Sequence, residues 1–223
     1  MERSRWISDL HWVRAGQQTR SQRTQQALLD AAEVLFAKQG VDATSVVDIA
    51  TTAGCSVGAV YHHFSDKKAV LYALFDRLAE EFEATTRDAV NPERWEGATV
   101  GDILHGYVEF ALVNSQRRPG FKTTALDAAR EDPALIGQYR KLQNNLDEGL
   151  WELLIARRDE ITHPEPELAI RYALEQVGAV LHMRLKGESL DTRFKKQSDE
   201  AFLAESLRSV CGYLGVDLPA ELG

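Results

Sequence analysis

The stretch "GCSVGAVYHHF", residues 54–64, decides how this chain is read. Ser56 is a good N-cap, so a helix should start at Val57. That helix is short and contains Gly58, a residue that costs roughly 1 kcal/mol against alanine in a helix interior. Val57, Tyr61, His62 and His63 cannot all face one core. Something other than intrachain packing has to account for the glycine, and for a tyrosine and two histidines on so small a helix.

The residues upstream supply the partner element. "SVVD", residues 45–48, places Ser45 at an N-cap and Asp48 at N3, an approximate capping box with aspartate replacing the usual Glu or Gln. The helix that follows ends at Ala53 and Gly54. Two helices joined by a four-residue turn containing glycine form a helix-turn-helix, whose second helix enters the DNA major groove. Small outward residues then have a use, because Gly58 and Ala59 let the helix approach closely. Val57 can touch a thymine methyl, and His62 a base acceptor or a phosphate. Tyr61 either donates to a phosphate or packs where the recognition helix meets the next one. Ser45 offers a hydroxyl and free backbone N–H groups to a phosphate. Lys67, in the first turn of the following helix, adds a cation.

Helical periodicity continues through nearly the whole chain, with no alternating strand pattern. A first helix spans about 21–39, with Leu28, Ala31, Ala32, Leu35 and Phe36 on one face and Gly40 as its stop. Asp66 caps a long helix carrying Val70, Leu71, Leu74, Phe75, Leu78 and Phe82 at spacings of three and four. Further helices are expected near 100–116, 121–130, 133–157, 167–186 and 198–214, separated by "RRPG" (117–120), Pro133 and "THPEPE" (162–167). The fold class is all-α, with about nine helices. Helix 167–186 is apolar nearly all round, so burial on more than one side is expected, with helix 198–214 as its companion.

Composition narrows the function classes. The chain has 223 residues, 44% hydrophobic and 27% charged, as in water-soluble globular domains. No apolar run is long enough to span a membrane, and the basic N-terminus lacks the apolar core of a secretory signal. Cys55 and Cys211 belong to no CxxC or His/Cys cluster, which fits a reduced, cytoplasmic setting. The six histidines show no HxxxH or HExxH spacing, so neither a metal nor another cofactor is expected. There is no GxSxG, phosphate loop or kinase-type motif, so an enzyme is not expected.

The net charge of −8 is unevenly spread. Residues 1–70 hold eight Lys/Arg against seven acids, whereas the remaining 153 residues hold 18 against 27. Only the N-terminal third can present a face to nucleic acid. Residues 1–20 form an arm containing Trp6, Ile7, Leu10 and Val13 among Arg3, Arg5, Arg14 and Arg20. It either supplements DNA contacts, packs on its own domain, or is a disordered tail.

The run "RTQQALLDAAEVLFAKQGVDATSVVDIATTAGCSVGAVYHHFSDKKAVLYAL", residues 23–74, resembles the TetR family of bacterial one-component transcription regulators. The likeness lies in the Ala/Phe positions of the first helix, in "G…TS", and in "DIA…AG.S.G..Y.HF..K". It covers about a quarter of the chain. Carried over by position, it implies Ser45, Val57, Gly58, Ala59, Tyr61, His62 and Lys67 as DNA contacts. Val47, Cys55 and Lys68 depart from the family's usual residues. The resemblance also implies an N-terminal DNA-binding domain (21–65) and a C-terminal ligand-binding and dimerisation domain (66–223). Its partners would be a near-palindromic double-stranded DNA operator, a second copy joined through the last two helices, and a small-molecule inducer, the commoner outcome being repression. Control by a protein partner, or DNA organisation without a small ligand, is the alternative. Among polar and aromatic residues on the C-terminal helices, Tyr107, Phe110, Phe121, Trp151, His182 and Arg184 are the candidate pocket residues.

Overall fold

Thr19 opens the first helix, one residue ahead of expectation. Its hydroxyl accepts from Gln22 N–H at 3.2 Å and its own N–H donates to Gln22 Oε1 at 2.9 Å, a reciprocal capping box. The computed structural model describes residues 19–117, 132–185, 197–219 and 222. Within them lie α1 (Arg20–Ala43), α2 (Val46–Thr52), α3 (Val57–His63), α4 (Lys67–Ala89), α5 (Val100–Arg117), α6 (Pro133–Ile155), α7 (Pro166–Leu185) and α8 (Asp199–Leu214). Two 3₁₀ turns, Pro92–Trp95 and Arg158–Glu160, complete the regular structure among the described residues. The fold is all-helical. The expected helix at 121–130, most of the N-terminal arm and Phe121 lie outside the described residues.

Gly40 breaks α1 as its sequence position suggests, with φ 83° and ψ 165°. That conformation strains any residue with a Cβ. Residues 41–43 continue as a short turn before Thr44, whose hydroxyl donates to Gly40 O at 2.8 Å.

Packing separates the described chain into two units. One comprises residues 19–84 and 132–142. Its core joins Leu28, Ala32 and Phe36 of α1, Ile49 of α2 and Val60 of α3 to Val70, Leu74 and Phe75 of α4, with Leu135 and Leu142 of α6. The core therefore extends past residue 65, because α1–α3 alone would leave their shared apolar faces uncovered.

The other unit comprises 85–117 and the described residues from 143 onward. In it α5 packs on both α7 and α8, and α7 packs on α8. Helix α5 is buried almost without interruption from Val100 to Val113, including His105 and Glu109. A Cβ on Gly106 would stand 2.3 Å from the Trp95 ring, so only glycine lets that indole lie on α5. The Trp95 N–H donates to Ala89 O at 2.7 Å.

The burial expected for residues 167–186 is seen on the side that meets α5 and α8. Helix α7 buries Ala169, Ile170, Ala173, Leu174, Val177 and Leu181, yet Leu168 and Tyr172 are 59% and 56% exposed. Among the described residues, Leu168, Tyr172 and Met183 leave an apolar stretch of the helix exposed.

Candidate nucleic-acid interface

The geometry of α2 and α3 is set by local hydrogen bonds. Ser45 N–H donates to Asp48 Oδ2 at 2.9 Å and Asp48 N–H donates to Ser45 Oγ at 3.1 Å. The Ser45 hydroxyl also donates to Asp48 Oδ2 at 2.7 Å, and this bond above all lowers the Asp48 carboxyl below its ordinary value. Gly54 turns the chain at φ 65°, and Cys55 N–H returns to Ala50 O at 2.9 Å. Ser56 then caps α3, its Oγ accepting from Ala59 N–H at 3.1 Å.

Helix α3 divides cleanly. Val60 faces the core, as does Phe64 just beyond the helix, while Val57, Gly58, Tyr61 and His62 face outward. Tyr61 is 57% exposed, which removes the reading of it as core. Ala59 is half-buried beside them. A Cβ built on Gly58 meets nothing closer than the Ser56 hydroxyl at 3.7 Å. The protein itself leaves room for alanine there. The His62 and His63 rings meet edge-on at 5.1 Å between centroids, at the C-terminal end of α3 where helical carbonyls carry partial negative charge. Val47, on the first turn of α2, is also exposed.

Two expected contacts are engaged within the chain. The hydroxyl of Ser45 is held by Asp48. Lys67 turns back onto α1, its ammonium donating to Val41 O at 2.8 Å and Asp42 O at 3.1 Å. Arg77 is a polar anchor that periodicity did not reveal. It donates to Gln26 Oε1, Asp30 Oδ1 and Glu33 Oε2, tying α4 to α1. Those partners lie 44 to 51 residues away, so nothing local signals them.

The described pocket candidates lie on α5, α6 and α7. Tyr107 and Phe110 are buried on α5, His182 is exposed, and Phe121 is outside the described residues. Trp151 is half-buried beneath the Arg171 guanidinium, 4.7 Å from its ring. Arg184 donates to Gln197 O and Asp199 Oδ1 and lies over Phe202. A cleft of about 250 Å³ does open between α7 and α8, but Val177, Val180, Phe202 and Val210 line it with Gln176 and Gln197, and none of the six candidates does. Among the described residues, no three His, Cys, Asp or Glu side chains are placed to hold a metal, and no helix is long and apolar enough to cross a membrane.

Comparison with known proteins agrees with this arrangement. Residues 28–74 match the family described as bacterial regulatory proteins, tetR family. The HTH-type transcriptional regulator TtgR of Pseudomonas putida is 39% identical over 77 residues, covering 32% of this chain and 37% of that protein. The chain thus spans little more than a third of that curated relative's length. Stenotrophomonas maltophilia SmeT in complex with triclosan superposes with a TM-score of 0.66 at 22% identity, covering 90% of this chain and 97% of SmeT. Salmonella enterica GusR gives 0.63 at 20%, covering 90% and 100%. These likenesses establish the fold. With the helix-turn-helix match over residues 28–74, the chain carries the DNA-binding domain of the TetR family of bacterial regulatory proteins.

Proposed function

We propose that the protein is a one-component transcription regulator that binds a near-palindromic DNA operator as a homodimer through α2 and α3. Gly58 carries this reading. A glycine inside a short helix destabilises it by roughly 1 kcal/mol, and here no neighbouring atom of the described residues would obstruct a Cβ. Close approach of an external surface accounts for it. The exposed Val57, Tyr61 and His62 around it combine an apolar contact with donors, as base edges and phosphates require.

Dimerisation through α7 and α8 is supported by the open apolar face at Leu168, Tyr172 and Met183. It is further supported by the side-chain oxygens of Gln176 and Gln197, buried in the α7–α8 cleft without a partner among the described residues. Each such oxygen costs on the order of 1–3 kcal/mol until a donor reaches it. Repression released by a small molecule is the accompanying reading. Its support is the likeness in fold to SmeT, the repressor of a multidrug efflux pump, whose structure is known in complex with triclosan.

Selection from random duplex DNA tests the proposal. The expected product is a site with two-fold symmetry, bound with an affinity that falls steeply with salt as condensed counterions are released. Enrichment of no symmetric site refutes it.

A further inference from the structure

The family's lysine at the start of α4 was expected to meet a phosphate, but its place in the structure points elsewhere. Lys67 is half-buried, and two of its three ammonium donors go to the carbonyls of Val41 and Asp42, at 2.8 and 3.1 Å. Those carbonyls lie just beyond the break at Gly40, where the end of α1 presents carbonyl acceptors and partial negative charge, and Val41 O also accepts from Thr44 N–H at 3.3 Å. The same segment is gathered by Thr44, which is 1% exposed and donates to Gly40 O, and by Gln39, whose amide donates to Ala43 O and Thr44 Oγ1 at 3.3 Å each. The next residue is Ser45, the N-cap of α2.

We infer that Lys67 is a positioning residue: it staples residues 41–42 to the first turn of α4 and so sets where α2 begins, and with it the reading helix α3 that packs on α2. It acts on DNA through this connection. Swinging outward to a phosphate would exchange two charge-assisted bonds made inside the protein for one made outside it. The inference rests on the DNA-binding reading above and assigns a role within it.

The experiment compares the full-length protein with Lys67→Met and Lys67→Gln on the selected operator and on non-operator duplex, over a series of salt concentrations. Circular dichroism fixes the folded fraction of each. A positioning role predicts that Lys67→Met loses operator affinity roughly tenfold, the loss of about one well-placed hydrogen bond, with non-operator affinity and the slope of log K against log salt both unchanged. Lys67→Gln, uncharged but still able to donate to a carbonyl, recovers most of the loss and covers the case in which Lys67→Met folds poorly. If both variants lose operator and non-operator affinity alike and the slope flattens by about one, Lys67 is a phosphate contact and the inference is overturned. A lower melting temperature with unchanged affinity per folded molecule makes the lysine merely structural, which also overturns it. A wild-type protein that selects no operator removes the underlying reading, and the inference with it.

Discussion

Arg77 of α4 meets Glu33 of α1 at 3.0 Å, and their side chains are only 12% and 15% exposed. Asp30 also accepts from Arg77, at 2.7 Å, but is 69% exposed. Removing the buried Arg77 therefore differs from removing the exposed Asp30. Arg77→Ala leaves Glu33 charged and poorly hydrated, and should destabilise the protein by about 3 kcal/mol. Asp30→Ala removes a solvent-screened partner and should cost under about 1 kcal/mol. Urea unfolding of both variants checks the order. Equal effects would mean that burial does not govern this cluster.

A second polar anchor depends on pH. Asp132 caps α6, its Oδ1 accepting from Ala134 N–H at 3.0 Å, while its Oδ2 accepts from the Tyr72 hydroxyl and lies 3.2 Å from Lys68 Nζ. The Tyr72 bond leads in holding the Asp132 carboxyl down at about 2. A carboxyl depressed on folding stabilises the native state fully above its unfolded value, near 4. That contribution is lost as pH falls through about 2. Asp132→Asn should thus be less stable than wild type by a constant margin at pH 6–7, and the margin should shrink as pH drops from 4 toward 2. Urea titrations at stepped pH measure it. A margin that widens on acidification would contradict the assignment.

What could be read from the sequence was mostly local. Ser45, Gly54 and Ser56 act within three or four residues of themselves, so spacing alone located α2, the turn and α3. Gly40 stopped α1 for the same reason. Arg77, Lys67 and Asp132 bond across 25 to 60 residues, and no periodicity encodes such pairings. The C-terminal region was less legible still. Apolar stripes on α5 and α7 look alike in sequence, yet α5 is enclosed and α7 keeps one face open. What separates them is which neighbours the fold supplies, and a single helix does not record that.

The two thiols should react very differently. Cys211 is buried in α8, and burial pushes its thiol up to about 11, so almost no thiolate forms at pH 8. Cys55 is half-buried in the turn before α3, its Sγ 3.5 Å from Ala53 O. A disulfide reagent at pH 8 should modify Cys55 first and reach Cys211 only as the protein unfolds. Cys55→Ala should abolish the fast phase, and modification of Cys55 should weaken operator binding by displacing α3. A fast phase that survives in Cys55→Ala would show the core around α8 to be open.

The open face of α7 yields the last expectation. Leu168 and Tyr172 are exposed, and the Tyr172 ring lies 5.4 Å from that of Tyr213 on α8, which in turn lies 5.0 Å from His163. An aromatic patch continued across two helices is the kind of surface that buries itself against a second copy. Replacing exposed residues barely changes the stability of an isolated chain, typically by less than about 0.5 kcal/mol. Leu168→Glu with Tyr172→Glu should therefore leave the helical spectrum of the protein intact while it sediments at the mass of one chain, wild type sedimenting at twice that. Operator affinity should fall at the same time, because each monomer engages only one half-site. A double variant that still sediments as a dimer would move the interface away from this face of α7.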